Sequence, residues 1–196
     1  YMFQSQVRWN NPAVEPMVYI ANELTPFSPR DVTVYSNCDS VKLHTFFGAE
    51  RVRTYRRSAE DTQGLPSPII TFPNAWDFME DKALSRSNKQ SDAYLLAEGY
   101  KNGEVVATHR RTMSRRPSKL QLVIDREGTA MTADGSDLVT LIAQITDGAG
   151  NIKRLNNQSV RFTIEGEGRL LVPASQQNGT QLLWGEAPVL VQATTT

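Results

Sequence analysis

The chain has a single cysteine, Cys38, in 196 residues. One thiol cannot close an internal disulfide or build a thiolate metal site, so cysteine count says nothing of the redox compartment. Histidine is nearly as scarce, with only His44 and His109. Neither stands beside a nucleophile-elbow motif or in an HExxH spacing, which argues against Ser/His/Asp catalysis and a zinc site. Charge of either sign is not in excess: Lys+Arg and Asp+Glu both number 21. The whole molecule is therefore not steered toward nucleic acid or an anionic membrane. No apolar run is long enough to span a bilayer. The opening stretch, YMFQSQVRWNN, lacks the basic and apolar segments of a signal peptide. It reads as the continuation of a longer polypeptide.

What is abundant is β patterning. DVTVYSN and SVKLHTFFG alternate apolar and polar residues with a period of two, as half-buried strands do. YLLAEGY and EVVATHR flank Asn102-Gly103, the residue pair that a type I′ hairpin turn requires. A second series follows: KLQLVID, DLVTLIAQITD, SVRFTIEGEG, RLLV, QLLW and PVLVQAT. Gly, Asn or Asp separates most of these runs, and no helices intervene, which points to antiparallel sandwiches. The polar MSRRPSK stretch, 113–119, marks a boundary. The expected architecture is all-β: two consecutive Ig-like antiparallel β-sandwiches, 1–117 and 118–196. The first carries an inserted loop and short helix over about 48–91. Within it, Asn74 is the expected helix cap, and Trp76, Met79 and Leu84 are expected on one face. The closing VQATTT leaves two readings, a complete second sandwich or one lacking its last strand with an open edge.

Asp134, Asp137 and Asp147 each lie near a glycine. Their spacing is not that of an EF-hand loop, and a ten-residue strand of about 33 Å separates the two ends. They read as turn residues. The arginine clusters Arg51, Arg53, Arg56, Arg57 and Arg110, Arg111, Arg115, Arg116 could line a nucleic-acid surface or pair with acids such as Glu80 and Asp81. Neutral overall charge favours pairing. EGEGR precedes a strand, the wrong setting for a phosphate loop. Trp9, Trp76 and Trp184 could each stack on a sugar, though packing is the commoner use of such rings. Trp76, in the inserted segment, is the best candidate for carbohydrate binding. No catalytic residue, metal ligand or cofactor site is assigned.

Several stretches together carry a resemblance. YIANELTPFSPRDVTVYSNCDSVKL and LLAEGYKNGEVVATHRRT resemble the β-sandwich that follows the catalytic barrel in bacterial β-galactosidase-like enzymes of glycoside hydrolase family 2. RRPSKLQLVIDREGTAMTADGSDLVTLIAQITDGAGN with VRFTIEGEGRLL resembles the next module, a bacterial Ig-like domain. The resemblance covers nearly the whole chain. It implies an accessory, structural region of an enzyme that hydrolyses β-glycosidic bonds with two glutamates on an upstream (β/α)₈ barrel. Such a barrel needs about 250 residues of alternating strands and helices, which this chain lacks, so no catalytic glutamate is carried over. The implied partners are that barrel and other domains of the same polypeptide, with a glycan or oligomeric contacts as further candidates. The implied setting is periplasmic or extracellular. A carbohydrate-binding module and an Ig-like surface adhesion module remain rival readings.

Overall fold

The computed structural model describes residues 15–47, 49–56, 69–86, 93–125, 132–173, 176 and 178–194, without the side chains of 84 and 85. The chain divides into two compact units between Met113 and Ser114. The sequence placed this boundary at 117/118. The linker belongs to the second unit because its backbone is tied there: Arg115 N donates to Asp147 Oδ2 at 2.8 Å and Ser118 N to the Thr146 carbonyl at 2.8 Å.

The first unit holds β1 (Val18–Ile20), β2 (Val32–Ser36), β3 (Ser40–Phe46), β4 (Glu50–Arg56), β5 (Ile69–Phe72), α1 (Phe78–Arg86), β6 (Tyr94–Lys101) and β7 (Glu104–Arg111). These form a three-stranded sheet, β1-β2-β5, and a four-stranded sheet, β4-β3-β6-β7, with the pairings antiparallel. Alternate residues of each sheet meet in one core. Val18, Ile20, Val32, Val34, Ile70 and Phe72 come from the first sheet, and Val41, Leu43, Leu95 and Ala97 from the second. That is the sandwich expected from the period-two pattern. The Asn102-Gly103 turn has φ of 51° and 86°, both left-handed as type I′ demands.

The stretch 48–91 is joined to both sheets. It contributes β4, paired along its length with β3, and β5, paired with β2. The helix also begins later than expected. Asp77 Oδ1 accepts from Met79 N at 2.7 Å, so Asp77 is its cap. Asn74 is a turn residue instead, at φ 47°, with its N–H donated to Asp31 Oδ1. Of the expected face, Trp76 is buried in the core, but Met79 is 64% exposed, and Phe78 is the helix residue that packs on the core beside Trp76. Leu84 lies outside the described side chains.

The second unit holds β8 (Lys119–Asp125), β9 (Leu138–Thr146), β10 (Ser159–Val160), β11 (Arg169–Leu171), β12 (Thr180–Gln181) and β13 (Glu186–Gln192). One sheet runs β11-β13-β9-β8, and a short β10-β12 pair forms a second. Ala143, Ala187, Val189 and Val191 are buried on one face of the larger sheet. Strand β13 lies inside that sheet, between β11 and β9, so the open edges are β11 and β8.

Candidate functional site

The aspartates beside glycine are turn builders. Asp134 Oδ1 accepts from Ser136 N, Ser136 Oγ and Asp137 N. Those donors stabilise the carboxylate and lower its pKa. Asp147 is 1% exposed. Burial alone would raise its pKa, but N–H groups of Arg115, Asn151 and Ala149 outweigh that and hold it below the ordinary value. The two carboxylates cap opposite ends of β9. Among the described residues no group of three or more His, Cys, Asp or Glu is placed to hold a metal ion.

Both histidines sit in strands. His109 Nδ1 accepts from Ile20 N at 3.0 Å, and its ring stacks on Tyr19. Burial and then the nearby Arg111 charge depress its pKa, favouring the neutral ring that this bond needs. His44 lies on the outer face of the four-stranded sheet, with Nδ1 3.0 Å from Glu50 Oε1 and Nε2 3.0 Å from Glu98 Oε2. Tyr100 donates its hydroxyl to Glu98 at 2.6 Å, and Lys42 lies over the Tyr100 ring.

This His44–Glu98–Tyr100 group is the described cluster nearest in composition to an acid–base site. Its electrostatics run the wrong way for the general-acid role. A glycosidic general acid needs a raised carboxyl pKa. Tyr100's hydrogen bond, with help from His44, holds Glu98 below its ordinary value.

The arginines are largely engaged. Arg51 pairs with Glu80, and Arg53 Nη2 donates to the Asn74 carbonyl. Arg110 stacks over Tyr94, and Arg111 meets Tyr19 and Glu23. Arg57 falls outside the described residues. Cys38 is buried, and burial raises its thiol pKa despite the Ser36 bond, which leaves it unreactive.

Trp76 does not present a platform for sugar. It is 2% exposed, packed among Leu24, Val34 and Phe72 in the first unit's core, with Phe78 tilted against it. Trp9 lies outside the described residues. Of the two described tryptophans, Trp184 is the one that faces solvent, at 67% exposure, next to Leu183 at 73%. It stands at φ 55°, followed by Gly185 at 77°, in a two-residue turn closed by Leu183 N to Glu186 O and Glu186 N to Leu183 O. That is type I′ geometry, in which Asn or Gly is usual and a bulky side chain is strained. A row of polar side chains lies beside it. Gln121, Gln144 and Glu186 occupy one rung across β8, β9 and β13. Gln121 Nε2 donates to Gln144 Oε1 at 3.2 Å, and Gln144 Nε2 to Glu186 Oε1 at 2.7 Å. Arg154 pairs with Glu186 and also donates to the Trp184 carbonyl at 3.3 Å. The solvent-facing ring is thus Trp184, not the expected Trp76. Leu-Trp-Gly-Glu lacks the Asn-Gly signal that would have marked a turn there.

Residues 120–196 match the family model described as glycoside hydrolase family 2 C-terminal domain 5. The chain is similar to a β-galactosidase of Thermoanaerobacter pseudethanolicus, 29% identical over 184 residues, covering 91% of this chain and 23% of that protein. It is also similar to a β-galactosidase of Rhizobium meliloti, 29% identical over 154 residues, covering 78% of this chain and 19% of that protein. Among solved structures, a β-glycosidase from Bacteroides vulgatus shares the fold with a TM-score of 0.68 and 19% identity, over 94% of this chain and 22% of that one. The chain thus spans about a quarter or less of the length of the curated relatives it matches.

Proposed function

We propose that the chain is the accessory, structural C-terminal region of a β-galactosidase-like glycoside hydrolase, a reading supported by the match of residues 120–196 to the model of glycoside hydrolase family 2 C-terminal domain 5. Its two β units would pack against other domains of the same polypeptide and help to fix their arrangement. Hydrolysis of the β-glycosidic bond would be carried out by a barrel outside these 196 residues.

One observation carries this reading. The described cluster best suited by composition to acid–base work, His44 with Glu50 and Glu98, is organised as a mutually satisfied surface network. Its best-connected carboxylate is kept ionised, the state a proton donor cannot use. The same features serve a structural role well. Ion pairs and ring contacts on the outer sheet face fix side chains that another domain can meet without ordering them first.

The test is turnover. The folded 196-residue chain is expected to leave nitrophenyl β-galactoside and β-glucuronide at the buffer rate. Hydrolysis that rises in proportion to chain concentration and survives repurification would refute the reading.

A further inference from the structure

We propose that the turn at Trp184 and the rung Gln121–Gln144–Glu186 form a binding site for a short neutral saccharide. Two features adjoin there, because Trp184 stands two residues before Glu186 and Arg154 reaches both the Trp184 carbonyl and the Glu186 carboxylate. The first is the indole. A bulky residue at φ 55° is strained, and solvent covers most of its ring. Local stability would favour asparagine or glycine in that place. Trp76, whose burial supports the core, shows what packing does with such a ring. Trp184 does no comparable packing, so its strain is not explained by the fold.

The second feature is the polar row. Neighbouring strands lie about 4.8 Å apart, so the rung from Gln121 to Glu186 is about 10 Å long. That is close to the length of two linked pyranose rings. Glutamine amides both donate and accept, which suits hydroxyl groups that do the same. The bonds from Gln121 to Gln144 to Glu186 hold the side chains in place before a ligand arrives. Arg154 and Glu186 offset each other's charge, which favours an uncharged ligand. The indole supplies the apolar face on which the C–H side of a pyranose can lie.

A protein partner fits less well. A stable protein interface covers roughly 800 Å² on each side around an apolar centre. Here a rung of amides and an ion pair separates the apolar tip, Leu183 and Trp184, from the apolar rung Val123–Ile142–Pro188, so an apolar partner would have to bury that polar rung. The proposal stands on the turn and the rung. Its readout is binding, whereas the accessory role is tested by turnover, so either can fail alone.

The 196-residue chain is titrated with β-linked galacto- and gluco-disaccharides and tetrasaccharides, followed by calorimetry and tryptophan emission. Saturable binding is expected with at least one of them, accompanied by a change in emission. Trp184→Asn should weaken it by about tenfold or more, equivalent to about 1.4 kcal/mol, while leaving the melting temperature equal or higher. Gln121→Ala, at the exposed end of the rung, should weaken binding while the indole is intact. Absence of saturation with every probe would overturn the proposal. So would full binding by Trp184→Asn, or self-association of the chain that this variant abolishes.

Discussion

Gly99→Ala tests whether the first unit's core is as closely fitted as its geometry indicates. A Cβ at position 99 would lie 2.5 Å from Cys38 Sγ, 3.3 Å from Cys38 Cβ and 3.5 Å from Val18 Cβ. Ordinary non-bonded contact is about 3.5–4.0 Å, so the sulfur would have to yield by about 1 Å. It has little room. Cys38 is fully buried, and its thiol points to the Met17 carbonyl at 3.5 Å. Overpacking of this kind costs about 1–3 kcal/mol. Alanine also restricts the unfolded chain and by itself would stabilise a strand by about 0.5–1 kcal/mol. The net expectation is a loss of about 1–2 kcal/mol, or a fall in melting temperature of several degrees for a unit of this size. Urea unfolding followed by circular dichroism reads the loss. The second half of the test is Cys38→Ala, which removes the clashing sulfur. In that background Gly99→Ala should cost at least about 1 kcal/mol less, the signature of direct coupling. A neutral Gly99→Ala, or an equal cost in both backgrounds, would refute the packing account.

Three further outcomes follow from the same structure. Asp147→Ala strands the backbone donors of Arg115, Ala149 and Asn151 and should destabilise the second unit by about 2–4 kcal/mol, measured by denaturant unfolding. Because its folded pKa lies below the usual carboxylate value, Asp147 contributes stability above the unfolded value of 3.8, lost as pH falls through the folded one; an acid melting series in which wild type and Asp147→Asn run parallel would count against this. His109 also has a depressed folded pKa, but as a base. Below the unfolded value of 6.5 the unfolded chain takes up a proton that the folded one resists, so stability should fall as pH drops toward the folded pKa. His109→Asn should flatten that slope in thermal melts. Asp77→Ala removes the α1 cap and should cost about 1 kcal/mol, read as an earlier melting of the first unit.

Much of the β architecture was written in local chemistry. The Asn102-Gly103 hairpin could be named from two residues because few turns tolerate consecutive left-handed positions. Strand β9 could be bounded at both ends because Asp137 and Asp147 are turn formers around an apolar run. The partners of other strands depended on long-range contacts that no local pattern carries. β4 is largely exposed and has no clean alternation, yet it pairs in register with β3 across a short turn. β5 follows a Pro- and Gly-containing stretch and still returns to β2. Trp76 lies in a loop, where side-chain burial is set by what the chain folds over it. Trp184 carried no turn signal for the opposite reason: its turn uses a residue that ordinary turn chemistry avoids.

On the proposed accessory role these 196 residues do not themselves cleave a glycoside, and the deciding measurement is the initial rate of nitrophenyl β-galactoside cleavage across the neutral and mildly acidic range. Wild type and Glu98→Gln are compared, both verified as folded. The account predicts that neither exceeds the buffer rate at any pH. Turnover by the wild type that disappears in Glu98→Gln would contradict it and make the His44–Glu98–Tyr100 group a catalytic centre.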